Sequence, residues 1–448
     1  MKKILTLLFT LLLAAVMLTA CSGADTTEQT ETAATTATAQ AEEAADTITT
    51  AAVSLPDTGE VITTAAVTSS GMIDATDLFT DRDLTQSVDT SDAKSYTLSD
   101  GDTITISTAG VYILSGSAEN AQIIVEAGDD DKVQLVLNGV TITNTSTPCI
   151  YVKNADKVFV TTVSGTTSRL SVTGTFASDG TTNTDAVIFS RDDLVLNGLG
   201  TLVITSTDNG ISCKDDLKVT GGTIDITCTS DALEANESIA VADGDITISS
   251  GKDGLHAEND EDTTVGYIYI CGGSFSIEAA SDGIQATTVA QIDGGTFNIS
   301  ASEGIEGTYV QINGGDITIS ASDDGINASA KSSAYSVTAE FNGGTITITM
   351  GQGDTDAVDA NGNIYVNGGT LDITANSPFD YDGVGQYNGG TLIVNGTQTT
   401  ELTNQMMGGG GMGGMQGGMG GMQGGMGGMQ GGMGGMQGGY GDYGGFMR

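Results

Sequence analysis

Residues 302–328 read SEGIEGTYVQINGGDITISASDDGINA. Apolar and polar residues alternate at Val310-Gln311-Ile312 and again at Ile317-Thr318-Ile319, the period of two that marks a strand with one buried face. Paired glycines and Asn or Asp punctuate the runs. An acid, a glycine and an isoleucine open the stretch at Glu303 and nearly close it at Asp324. The unit recurs on both sides, as KVTGGTIDITCTSDALEA, AVADGDITISSGKDGLHA, YICGGSFSIEAASDGIQA and YVNGGTLDITA, mostly at steps of roughly 20 to 22 residues. Insertions after Ala257 (ENDEDTTVG) and Ala328 (SAKSSAYSVT) lengthen two of the steps. Such a unit holds about three short strands and no helical period, so it cannot bury its own apolar face and must stack on its neighbours. The predicted fold is all-β, a right-handed single-stranded parallel β-helix over residues 91–404. Looser turns such as VQLVLNGVTITNTS and DKVFVTTVSG fill its N-terminal part.

The flanks differ in composition. Lys2 and Lys3, an apolar run from Ile4 to Leu18 and the tetrad Leu18-Thr19-Ala20-Cys21 predict a lipoprotein leader over 1–20, lipidated at Cys21 and removed on export. Residues 21–90, rich in Thr, Ala and Glu, read as a disordered stalk, and residues 405–448, where GGMGGMQ recurs, as a low-complexity tail. The expected location is the outer face of a bacterial membrane or the cell surface. The 448 residues carry 57 Asp+Glu against 14 Lys+Arg, a formal charge of −43, which excludes direct binding to nucleic acid. The membrane is met only through the lipid, and the chain reads as a monomer.

Stacking converts repeats into columns about 4.8 Å apart. One column at the turn holds Asn209, Asp231, Asp253, Asp282, Glu303, Asp324 and Asp356; the next, three residues on, holds Ser212, Glu234, His256, Gln285, Glu306, Asn327 and Asp359. Neighbouring carboxylates at that spacing repel, and Lys and Arg are scarce. A divalent hard cation accepts six to eight oxygens. Calcium is therefore expected among Asp231, Asp253, Asp282, Glu303, Glu306, Asp323, Asp324, Asn327 and Asp356, with turn-capping hydrogen bonds as the alternative. The Asn and Asp before the paired glycines, among them Asp293, Asn313, Asn342 and Asn367, read as a hydrogen-bonded ladder.

The strand before each glycine pair projects a further strip outward: Lys218, Ala240, Tyr269, Gln291, Gln311, Glu340, Tyr365 and Gln386. Tyr269, Gln291, Gln311, Glu340 and Tyr365 are the candidate sugar contacts, since ring faces stack on sugars and amides meet hydroxyls. An ordinary solvated face is the alternative. Lys214, Lys218, Lys252 and His256 are candidate bases for a lyase, should the chain be an enzyme.

KDDLKVTGG at 214–222, SDGIQA at 281–286, SEGIEG at 302–307 and SDDGINA at 322–328 resemble the repeats of a bacterial carbohydrate-binding domain family. The resemblance implies a secreted or lipid-anchored parallel β-helix, similar in fold to pectate lyases. It further implies binding of cell-wall polysaccharide such as cellulose or acidic pectic chains, with calcium in the coil. The expectation is a non-catalytic polysaccharide-binding protein. A calcium-dependent polysaccharide lyase and a structural or adhesin scaffold are the alternatives.

Overall fold

The computed structural model describes residues 71–404 apart from 181, 260, 353 and 354, all within the unit Ile48–Arg448. The leader at 1–20, Cys21, the stalk as far as residue 70 and the tail at 405–448 lie outside the described residues. Within them the chain forms 35 strands and one helical turn, Asp81–Leu84. Successive turns of the chain pair in parallel from Lys94–Leu98 onward, and the chain is a parallel β-helix. The antiparallel pair Thr391–Val394 and Thr397–Thr399 ends the coil.

The quoted stretch makes one complete coil. Glu303–Ile312 bends to serve two faces, its first half beside Asp282–Ala286 and its second beside Val289–Ile292. Asp316–Ala321 then forms a third face between Thr296–Ala301 and Thr345–Met350. On that face the alternation is literal: Ile317 and Ile319 are wholly buried, whereas Asp316, Thr318 and Ser320 stand in solvent. Ile305 lies in register between Ile284 and Ile326, and all three are buried. Each such side chain contributes on the order of 1.5–3 kcal/mol. Phe275 and Phe297 stack in the interior with centroids 4.6 Å apart.

The acid-Gly-Ile signature has a steric cause. A Cβ on Gly304 would lie 2.3 Å from the carbonyl oxygen of Gly325 in the next coil and 2.6 Å from Cγ2 of Ile319. Gly315, at φ +94°, turns the chain into the third face in a conformation that other residues rarely adopt. Beside it runs the predicted ladder: Nδ2 of Asn313 donates to Asp293 Oδ1 at 2.7 Å, Asn342 to Asn313 at 2.8 Å and Asn367 to Asn342 at 2.8 Å. Cys149, Cys213, Cys228 and Cys271 are free thiols.

The expected stalk does not extend to residue 90. Residues 71–86 lie along the coil as a strap that crosses its strands, and this corrects the boundary. Met72 N donates to Gln311 Oε1 at 2.9 Å, Ile73 N to Gln291 Oε1 at 2.7 Å, and Asn197 Nδ2 to the carbonyl of Thr85 at 3.1 Å. Thr80 caps the helical turn, its hydroxyl accepting from Asp83 N while the Asp83 carboxylate accepts from Thr80 N.

Candidate functional site

The two predicted columns stand in register. Glu234 pairs with His256, His256 with Gln285, Gln285 with Glu306, Glu306 with Asn327 and Asn327 with Asp359. The first column runs alongside as a backbone ladder. Asp253 N donates to Asp231 Oδ1 at 3.0 Å, Asp282 N to Asp253 Oδ1 at 2.9 Å and Asp356 N to Asp324 Oδ1 at 3.2 Å. Each of these carboxylates therefore gives one oxygen to the next coil, and in Asp231 and Asp253 the other faces His256.

Charge is handled differently along the column. In its upper part His256 Nδ1 lies 3.6 Å from Asp231 and 3.5 Å from Asp253, with Nε2 3.0 Å from Glu258. Burial works against a charged ring, but Asp231 first, then Asp253 and Glu258, overcome it and raise the His256 pKa to about 9. Lys252 approaches Asp231 at 3.9 Å. These acids have their cation in the protein itself, which corrects the premise that the basic residues are too few.

Lower down, Asp282, Glu303 and Glu306 bring carboxylate oxygens within 4.8 Å of one another. Burial first, then the charges of Asp253, Glu303 and Glu306, raise the Asp282 pKa to about 8. Burial also raises that of Glu303, against the hydrogen bond from Asn327. Burial and the charges of Asp359, Glu303 and Asp323 bring Asp324 to about 7. Lys331, from the second insertion, reaches Glu306 Oε2 at 2.8 Å. Asn327 Nδ2 donates to Glu303 Oε2 at 2.9 Å, and its buried Oδ1 receives no hydrogen bond. Three carboxylates and an unused amide oxygen are hard donors and could hold a calcium ion. Asp323 is exposed, and Asp356 takes a hydrogen bond from Ser377.

The candidate sugar contacts also stand in register, from Lys218 and Ala240 through Tyr269, Gln291, Gln311, Glu340 and Tyr365 to Gln386. Three of them are not available as an open face. Tyr269, Gln291 and Gln311 are 0%, 1% and 3% exposed. The strap covers them, with Phe79 against the Tyr269 ring at 6.5 Å. A side chain that points outward from a coil need not meet water when another segment lies over it. Glu340 and Tyr365 stay partly exposed, and Gln386 is exposed. Glu340 accepts from Tyr309 Oη at 2.8 Å, Gln311 Nε2 at 2.7 Å and Asn367 Nδ2 at 3.0 Å.

The four candidate bases are all engaged. Lys214 meets Glu234 at 3.2 Å, Lys218 donates to the carbonyl of Leu78 at 2.6 Å, and Lys252 and His256 serve the acids described above. Two features were not anticipated. Asp193, Asp215 and Asp216 gather within 4.8 Å, and burial followed by Asp193 and Glu237 raises Asp215 to about 7. The doublet Asp215-Asp216 was its only trace in the sequence. Asp83 of the strap, wholly buried between two lysines, had none.

A carbohydrate-binding domain-containing protein from Acetivibrio thermocellus is 37% identical over 122 residues, 27% of this chain and 43% of its own, so the chain spans less than half of that relative. A solved structure, described as the polysaccharide lyase-like protein from C. thermocellum in a gadolinium derivative, aligns with a TM-score of 0.41 at 33% identity. That alignment covers 49% of this chain and 85% of the other. Residues 100–383 and 301–414 match the family described as carbohydrate-binding domain-containing protein, and over that span this chain belongs to the family.

Proposed function

We propose that the chain is a non-catalytic polysaccharide-binding protein of the bacterial cell surface, tethered by lipid at Cys21, with calcium held at Asp282, Glu303, Glu306 and Asn327. The observation that carries the calcium assignment is the convergence of three carboxylates, one of them hydrogen-bonded by Asn327, whose Oδ1 is unused. Calcium would neutralise charge that Lys331 only partly offsets, and a coordination shell not filled by protein is open to a uronate or sugar hydroxyl. Family membership supports the carbohydrate. Glu340, Tyr365 and Gln386 form the open part of the strip, where a ring and polar groups share one flat face. Cellulose and acidic pectic chains are the polysaccharides to try first.

A glycan array run with and without chelator tests the reading. Retention that weakens on chelation without product is the expected result. Release of unsaturated uronate would instead establish a lyase, and silence toward every glycan would leave a scaffold or adhesin.

A further inference from the structure

Along the strap the coil presents an unusual set of groups for so acidic a chain. Lys157 and Lys218 converge on Asp83, at 3.6 Å from Oδ1 and 3.8 Å from Oδ2, and the carboxylate is 0% exposed. Lys157 has a second partner in Asp193 at 3.3 Å. Among the described residues, Asp83 is the only carboxylate within ion-pair reach of Lys218. Aromatic rings flank the pair. Arg82 stacks over Phe159 at 4.4 Å on one side, and Phe79 meets Tyr269 on the other. Side-chain amides do much of the remaining work: Gln291, Gln311 and Asn197 bind strap backbone, and Gln134 accepts from Arg82 at 3.3 Å. The strap half-buries its own Ile73, Leu78, Phe79 and Leu84 and covers Tyr269. The main core closes without any of its residues, and Ala75 is its one buried hydrophobic side chain.

Lysines for a carboxylate, rings for a flat face and amides for hydroxyls are the groups that recognise an acidic sugar. We propose that the strip from Lys157 to Gln311 is a binding site for a uronate-containing polysaccharide, which the strap occupies with Asp83 in the place of the uronate carboxylate. The site rests on the polysaccharide reading above and extends it, for it continues the open strip of Glu340 and Tyr365 into a longer face that the strap keeps closed. A uronate chain and the strap compete for the same groups. Because the coil core does not depend on the strap, its displacement leaves the fold intact.

The test uses the full chain and a short oligogalacturonate, with a cello-oligosaccharide as the neutral probe. Oligogalacturonate should speed hydrogen exchange at the amides of Met72 and Ile73, whose hydrogen bonds to Gln311 and Gln291 must open, while the neutral probe leaves them unchanged. Asp83→Asn should tighten oligogalacturonate binding about tenfold, because less of the site is spent in the closed state. Adding Lys218→Gln should abolish that gain. Should Asp83→Asn fold poorly, internal deletion of residues 71–86, with strand content checked by circular dichroism, should give the same gain. Uronate binding with unchanged exchange, or an opened strap without any gain, overturns the site. If either of those failures occurs while the wild-type chain is still retained on polysaccharide in a Tyr365-dependent way, the strap site alone falls; if no variant retains any glycan, both readings fall.

Discussion

Lys331 Nζ lies 2.8 Å from Glu306 Oε2, although Lys331 belongs to an insertion and Glu306 to the coil before the one that the insertion interrupts. The same ammonium approaches Gln285 Oε1 at 2.7 Å in the amide orientation its neighbours require, and Gln285 Nε2 then donates to Asp253 Oδ2 at 2.9 Å. One insertion thus places a cation where the acidic column has lost its histidine.

Removing that cation should therefore expose the column's need for charge. Lys331→Met leaves a nearly buried carboxylate uncompensated, and loss of one partner of a buried pair costs about 3–5 kcal/mol. Because Lys331 keeps part of its surface in water, about 2 kcal/mol is expected. Thermal melting in chelator should show the loss. Added calcium should recover most of it; a Tm that falls equally in both conditions would mean that no cation enters beside Glu306.

The coil spacing can be tested at two glycines three residues apart on one strand. Gly304→Ala places a Cβ against the Gly325 carbonyl and Ile319, contacts that require neighbouring coils to part. A loss of about 3 kcal/mol is expected, at the upper end for overpacking. At Gly307 the nearest atom to a new Cβ is Ala290 N at 3.4 Å, ordinary contact. Gly307→Ala should then be close to neutral, and comparable denaturation midpoints for the two variants would show that the coils are not in close contact at Gly304.

The contrast between fold and site follows from what each demands of the sequence. Strand alternation through Ile305, Ile317, Ile319 and Ile326 and the recurring acid-Gly-Ile fix the stack, because a slip of one residue would expose every isoleucine. Column membership followed from the same register, so Glu306 and Asn327 could be placed side by side in advance. The strap left no such mark. Residues 71–86 have neither period, and their Thr and Asp content continues that of the stalk. What holds them is the coil's own side chains, Gln291, Gln311 and Lys218, contacts between positions more than 130 residues apart. Lys331 was hidden for a related reason, since an insertion has no counterpart in the neighbouring repeats.

Without metal, stability should fall as pH rises. Burial and the neighbouring acids raise Asp282 from an ordinary 3.8 to about 8 on folding, so across that window the folded chain binds more protons than the unfolded one. Stability is full below about pH 4 for this group and is lost as pH climbs through 8. His256 acts in the same sense between 6.5 and about 9, its charge being favoured only in the folded state. Melting curves in chelator from pH 5 to 9 should thus decline steadily. A rise over that range would mean that the carboxylates are solvated as in an unfolded chain.

Calcium should reverse that slope at its upper end. A bound cation favours the ionised carboxylates, so Asp282 would release its proton and the calcium-dependent gain in Tm should grow between pH 6 and 8. At pH 7.5, with free calcium 100 times its dissociation constant, linkage amounts to about 2.7 kcal/mol, or roughly 4 °C in a domain of this size. Asp282→Asn combined with Glu303→Gln should remove most of that gain, because two of the three converging carboxylates are gone. The same double variant should melt higher than the wild type in chelator, since repulsion among Asp253, Asp282, Glu303 and Glu306 is relieved. Both changes leave the inward isoleucines untouched, so the strand signal in circular dichroism should be preserved. If the double variant instead responds to calcium as the wild type does, the ion does not bind at this turn.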